Sequence, residues 1–374
     1  MRLTILRKFS ADPHRHPATV TEDQREHPVV QAILRRRDEG SKPGERTDGR
    51  RIALVIEGGG MRGVVSAGMT AAIEQLGLRD SFDEVHGASA GAFNGAFLLA
   101  GQAAYLTALY PHGFGDPSFV NFRDTVLRRR PIFDMDYVVG EVWRHQRPLH
   151  IDAILASGID LHCTATEVDS ATIVDLADLR DGDEIRCAMR ASARLPWLAG
   201  PPVSFRGRRW LDATLAEAIP VHAAQTTATD MLVLQTRPRG VQHTPLSSGV
   251  ARLTDRYLIK INPALVELRL TRSERYDQLS AELAARAGDP SARPAVCVIR
   301  PPADALQIGQ LENRVSALTT AGSHGLRAAW MALTGQDPEL LATPRAYPHD
   351  RADPPAADSS PGAGQASLAS RQPA

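Results

Sequence analysis

The pentapeptide Gly87-Ala88-Ser89-Ala90-Gly91 constrains this chain more than any other stretch. A short apolar run, Phe82 to Val85, leads into it, and an Ala-rich helical segment leaves it. A serine held on a sharp strand-to-helix turn brings neighbouring backbone very close. Gly87 and Gly91, two before and two after, must then lack side chains, and the small Ala88 and Ala90 suit the same crowding. The plainer reading is a small polar residue capping a helix that starts at Ala90. On the pentapeptide alone both readings stand, because small-residue turns recur by chance in a sequence rich in Gly and Ala.

The flanking pattern fixes the fold class. Arg51 to Ile56 is a continuous apolar run, expected for a strand buried on both faces. It ends in Glu57-Gly58-Gly59-Gly60-Met61-Arg62-Gly63. Apolar residues then recur at Val64, Val65, Ala67, Met69, Ala72, Ile73 and Leu76, a helical spacing that closes at Gly77. Strand, glycine loop, helix, strand, serine turn, helix is an alternating βαβα start. It predicts a three-layer α/β/α fold around a mostly parallel central sheet. Further on, 159–166 and 172–176 predict a hairpin, 183–191 a helix, 203–205 and 209–211 a second hairpin, and 221–227 a helix. Buried strands are expected at 231–234 and 296–299, long helices at 249–261 and 263–287, and a last helix at 311–334.

Residues 1–50 are polar and charge-dense. Only 29–34 is apolar enough to dock as a helix; the rest reads as flexible, with Arg35-Arg36-Arg37 on a solvated face. The sequence thus divides into a 1–50 extension, a core over 51–226, a C-terminal extension over 227–342 packed on that core, and a disordered Pro/Ala/Ser/Gly tail over 343–374. Equal numbers of acidic and basic residues, 43 each, argue against nucleic-acid binding through a global basic field. The three dispersed cysteines, Cys163, Cys187 and Cys297, show neither metal spacing nor a disulfide framework. Without an apolar leader or a spanning run, a cytoplasmic protein is expected. Peripheral membrane contact is conceivable through Arg128-Arg129-Arg130 or Arg206, Arg208 and Arg209, though solvated faces are the commoner use of such clusters. No cofactor or metal is implied, and oligomeric state is left open.

Three pieces carry chemistry. The glycine loop offers unencumbered N–H groups at a helix start, which can cradle an anion. Gly58-x-Gly60-x-x-Gly63 also satisfies a dinucleotide fingerprint. That site needs an acidic residue at the end of the second strand, and here Asp80 and Asp83 precede the strand while Ser89 occupies its end. The other use of such a loop is an oxyanion hole. Ser89 as a nucleophile needs a base. His86, His145, His162, His222 and His324 are available by composition, none with a neighbourhood that singles it out. Asp212 leaves a hairpin strand, where a desolvated carboxylate can take a serine proton directly; its plainer reading is a turn or cap aspartate.

Taken together, Gly58-Gly59-Gly60-Met61-Arg62-Gly63, Gly87-Ala88-Ser89-Ala90-Gly91 and Asp212, in that order, resemble the patatin-like phospholipase family over residues 52–226. The segment Ala191 to Pro196, ahead of Pro201-Pro202-Val203, is similar to that family's approach to its aspartate. The resemblance implies a patatin-like α/β fold and a serine acyl-ester hydrolase acting on lipid or phospholipid esters. It implies Ser89 as nucleophile, Asp212 as proton acceptor without histidine, and the 58–63 loop as oxyanion hole, with Arg62 in loop structure or near a phosphate head group. One departure is Ala213, where the family carries glycine; a φ > 0 there would cost alanine about 1 kcal/mol. That departure motivates a second reading, a patatin-fold lipid-binding or interaction protein of weak activity. A Ser-His-Asp esterase is the third.

Overall fold

The protein is described from a computed structural model over residues 22–114, 131, 133–238, 241 and 248–338. Helices α1 (Glu22–Arg25) and α2 (Pro28–Asp38) precede strand β1 (Ile52–Ile56), and α3 (Gly63–Gln75) follows the glycine loop. Next come β2 (Glu84–Ala88), α4 (Ala90–Leu99), α5 (Ala103–Leu109), α6 (Ile151–Leu155), β3 (Asp160–Glu167), β4 (Thr172–Leu176) and α7 (Gly182–Ser192). The chain continues through β5 (Val203–Phe205), β6 (Arg208–Leu211), α8 (Val221–Thr227) and β7 (Asp230–Leu234). It closes with α9 (Ser248–Ile261), α10 (Ala264–Ala287), β8 (Ala295–Ile299) and α11 (Val315–Thr334).

One eight-stranded sheet runs β5-β6-β3-β2-β1-β7-β8, with β4 paired to β3. The pairs β3–β2, β2–β1, β1–β7 and β7–β8 are parallel; the β3–β4, β3–β6 and β5–β6 pairs are antiparallel. Alternate residues of β1 face opposite layers. Ile52, Leu54 and Ile56 pack with α2–α5 and α11, whereas Ala53 and Val55 pack with α8 and α10. Every residue of β1 is buried, as a strand covered on both faces requires. The fold is thus three-layered and mostly parallel. Beyond residue 226, β7 pairs with β1 along its full length and β8 pairs with β7, so both belong to the same sheet.

Two boundaries differ from the sequence reading. The second strand runs 84–88 rather than 82–85, because Gly87 and Ala88 are held between Ile56 of β1 and Cys163 and Thr164 of β3. Ladder hydrogen bonds there outweigh glycine's weak strand propensity. The last helix begins at 315, after a non-helical stretch that includes a Glu312–Arg314 ion pair (2.8 Å).

The expected helix at 29–34 is α2, with Val29, Val30 and Ile33 fully buried. Arg36 departs from the solvated-face reading. It is 1% exposed and donates to Asp48, Asp83 and the Ser81 and Arg50 carbonyls at 2.7–3.0 Å. Arg46 also holds Asp83 (2.8 Å), so much of the expected flexible extension is pinned to the body. A buried charge needs this full set of partners. Arg36→Met is therefore expected to lower unfolding free energy by about 3 kcal/mol, because Asp48 loses its close counter-ion and Asp83 keeps only Arg46. The urea midpoint measures it. Residues 1–21 and the 343–374 tail lie outside the described residues.

Candidate active site

The registers explain why Ser89 and Asp212 meet. Strand β2 ends opposite Thr164, which leaves the edge of β3 open at Thr166 and Glu167. Strand β6 pairs there antiparallel, Leu211 with Thr166 and Trp210 with Glu167. The residue leaving β6 is Asp212 and the residue leaving β2 is Ser89, so both emerge at one place on the sheet.

Ser89 sits at φ 53°, ψ −120°, a strained conformation for a residue with a β-carbon. Its N–H donates to Ser192 Oγ (2.8 Å), which ties the turn to α7. A β-carbon on Gly87 would lie 2.4 Å from the Ala92 backbone, and one on Gly91 would lie 2.2 Å from the Ile56 carbonyl. Neither position admits a side chain, as the sequence argument required.

Ser89 Oγ donates to Asp212 Oδ2 at 2.8 Å, and both residues are buried. The other carboxylate oxygen, Oδ1, accepts from Thr214 N (2.8 Å) and Thr214 Oγ1 (2.5 Å). Main-chain bonds from Asp212 N to the Arg194 carbonyl (2.9 Å) and from Thr166 Oγ1 to the Asp212 carbonyl (2.8 Å) fix its backbone. Asp212 therefore caps a short helical turn (Ala213–Leu215) with one oxygen and faces the serine with the other. Burial pushes its pKa above the usual carboxylate value; the bonds from Thr214 and Ser89 and the charge of Arg272 oppose the rise. Ala213 opens that helical turn and is not among the residues with positive φ. Its departure from glycine carries no backbone strain. Thr214 and Ser192 escaped the sequence reading. An Asp-x-Thr spacing is a recognisable capping signal for the first; nothing local announces the second.

The glycine loop lies above this pair. Gly58 N–H bonds the Ala218 carbonyl (2.9 Å), Met61 N–H the Gln310 carbonyl (3.0 Å) and Arg62 N–H the Gly59 carbonyl (3.2 Å). The Gly59 and Gly60 amides have no backbone acceptor among the described residues. Arg62 is turned inward: Nε donates to Thr236 Oγ1 (2.9 Å), Nη2 lies 3.5 Å from Glu57 Oε1, and Glu57 Oε2 accepts Thr236 N–H (2.6 Å). It braces the loop from beneath, away from any head group. In front of Ser89 lies an apolar pocket walled by Met61, Phe93, Tyr110, Phe133, Met135 and Leu195.

The histidines fall elsewhere. His222 pairs with Glu217 (2.9 Å), His324 Nδ1 accepts Leu306 N–H (3.2 Å), and His145 is exposed. His86 and His162, register neighbours on β2 and β3, stack at 4.0 Å between Glu84 and Asp175. Glu84, His86 and His162 place ligand atoms within 4.8 Å of one another. The rings are only 22° from parallel, however, so their in-plane lone pairs do not converge on one ion. Burial holds the His86 pKa down. For His162 burial also pulls down, but the Asp175 bond (2.6 Å) and the carboxylate charges around it leave the pKa raised. His162 thus adds stability that is complete below its unfolded pKa near 6.5 and is lost as pH rises through the higher folded value. His86 acts below that window, where its protonation disfavours the fold. Between about pH 6 and 9 the wild-type urea midpoint should fall more than that of Asp175→Asn, which removes the bond.

Of the remaining sequence candidates, Asp83 accepts from Ile52 N (2.7 Å), Arg36 and Arg46 at the start of the sheet, remote from a ribose position. Arg206, Arg208 and Arg209 pair with Glu184, Glu167 and Asp169. Arg128–Arg130 lie outside the described residues. Among the described residues no helix is long and apolar enough to cross a membrane.

The α/β sheet thus sets Ser89 on a strand-to-helix turn beneath a glycine loop, the structural context of a nucleophile elbow. Residues 54–224 match the family model described as patatin-like phospholipase, a family of lipid acyl hydrolases. The chain is also 31% identical over 205 residues to the "Uncharacterized protein YjjU" of Escherichia coli (strain K12). The match covers 52% of this chain and spans about half, 54%, of that protein. Among solved structures, VipD from Legionella pneumophila aligns over 76% of this chain and 67% of its own, with a TM-score of 0.40 and 9% identity.

Proposed function

We propose that the chain hydrolyses carboxylic esters of lipids or phospholipids through a Ser89–Asp212 dyad. The observation that carries this is the 2.8 Å bond from Ser89 Oγ to Asp212 Oδ2 at an apolar pocket, within a region matched to patatin-like phospholipases. Substrate would lay its acyl chain against Phe93, Phe133 and Leu195, with its carbonyl over Ser89. Asp212 takes the hydroxyl proton as Oγ attacks the carbonyl carbon. The oxygen that becomes negative meets the Gly59 and Gly60 amides, preorganised by the bracing of Arg62 below. Collapse expels the alcohol or lysolipid, which leaves with the proton held on Asp212, and an acyl-Ser89 ester remains. Water then attacks that ester, again giving its proton to Asp212, and Ser89 recovers it as the fatty acid departs. Thr214 keeps one carboxylate oxygen occupied, so the other is presented to Ser89 in a fixed direction. A fluorophosphonate probe tests the reading: labelling of the wild type at Ser89 supports it. An unlabelled wild type, or equal labelling of Ser89→Ala, overturns it.

A further inference from the structure

Residues 300–314, between β8 and α11, contain no regular helix or strand and cross the glycine loop. The Gln310 carbonyl accepts the Met61 N–H (3.0 Å), a β-carbon on Gly60 would meet that carbonyl at 2.7 Å, and Gln310 itself borders the pocket of Ser89. One amide at the glycine loop is thus held by a carbonyl of the chain. The strap is anchored at its start by Arg300, which donates to the Ser280 carbonyl (3.3 Å) and Oγ (2.7 Å), and by buried Pro301; beyond that Ala305 and Ile308 are buried, and Leu306 N–H donates to His324 Nδ1 (3.2 Å). Against those few anchors it turns apolar side chains outward. Leu306 is 41% exposed, Leu311 44%, and Val315, where α11 begins, 46%.

We propose that this strap is a lipid-responsive cover of the oxyanion loop. With the strap down, the Gln310 carbonyl occupies the Met61 amide; entry of Leu306, Leu311 and Val315 into a phospholipid layer lifts it and frees that donor. The inference rests on the ester-hydrolase reading, because the surface around an acyl pocket meets the medium that delivers the acyl chain. Charge selects the kind of surface. Arg300 and Arg314 balance Asp304 and Glu312 within the strap. The contact is therefore apolar, and suits a zwitterionic phosphatidylcholine layer rather than an anionic one.

The test separates docking from catalysis. Sedimentation with phosphatidylcholine vesicles is carried out on Ser89→Ala protein, so hydrolysis plays no part. Adding Leu306→Ser and Leu311→Ser should weaken partitioning about tenfold, by removing two inserting side chains. In the Ser89 background the same double change should leave turnover of a dissolved short-chain ester within about twofold while vesicle hydrolysis falls about tenfold. His324→Ala, which releases the strap, should raise turnover of the dissolved ester several-fold. Equal partitioning with and without the serines, partitioning abolished by moderate salt, or unchanged turnover in His324→Ala would each overturn the proposal. A wild type inert toward the dissolved ester would instead overturn the hydrolase reading, and vesicle partitioning would still be measurable.

Discussion

Ser89→Ala is expected to lower turnover of a short-chain p-nitrophenyl ester at least about 10³-fold, with kcat falling and KM little changed. The size follows from the geometry around Oγ. Among the described residues Asp212 is the titratable group bonded to it, and His86, His145, His162, His222 and His324 lie elsewhere. Among the described residues no second nucleophile–base pair stands in the pocket to take over. Residual rate would come from the loop amides alone, whose contribution to such reactions is smaller than that of the nucleophile. The fold should survive, because alanine keeps the β-carbon, the backbone strain at φ 53° and the N–H bond to Ser192. Its cost is one lost hydrogen bond to a buried carboxylate, about 1–3 kcal/mol at most. Circular dichroism and the urea midpoint separate that loss from unfolding. Wild-type turnover in this variant would remove Ser89 from the mechanism.

How much of this was legible beforehand depends on the range over which each feature is determined. The turn at Ser89 is local: the contacts that forbid a β-carbon on Gly87 and Gly91 come from α4 and the end of β1. A five-residue pattern therefore carries it. The parallel pairing of β1 and β2 was equally readable from the alternating βαβα start. Asp212 was half legible, since an aspartate at a strand end can cap or act as base, and only the open edge of β3 accounts for its bond to Ser89 beside the cap. The Met61 amide was expected in the oxyanion hole; its partner carbonyl on Gln310 is far along the chain, and no spacing rule reaches it. The same holds for Arg36, which is indistinguishable from Arg35 and Arg37 until Asp48 and Asp83 surround it. The concern over Ala213 dissolved for a simple reason: the chain enters a helical turn there with ordinary φ, a choice that Asp212 and Thr214 make together.

Asp212→Asn is expected to abolish turnover to a similar depth, about 10³-fold or more, while raising unfolding stability at neutral pH. The amide is isosteric and can keep the Thr214 bonds at its oxygen, yet it cannot accept the serine proton. Ionised Asp212 is a fully buried charge, and burial raises its pKa above the usual value of 3.8. In the folded state it therefore binds its proton more tightly than in the unfolded state. Stability consequently declines as pH rises from the unfolded pKa through the folded one, and above that the ionised group is a standing cost. Asparagine has no such term. The excess stability of the variant should grow with pH across this window and then level off, as urea midpoints at several pH values would show. Turnover in the wild type runs the other way, because catalysis needs the ionised form: it should rise through the same folded pKa, with the acid limb above the ordinary carboxylate range. The coincidence of these two pH dependences is the discriminating result. An acid limb near 3.8, or a variant no more stable than wild type at neutral pH, would mean that Asp212 is not the desolvated base on which the dyad depends.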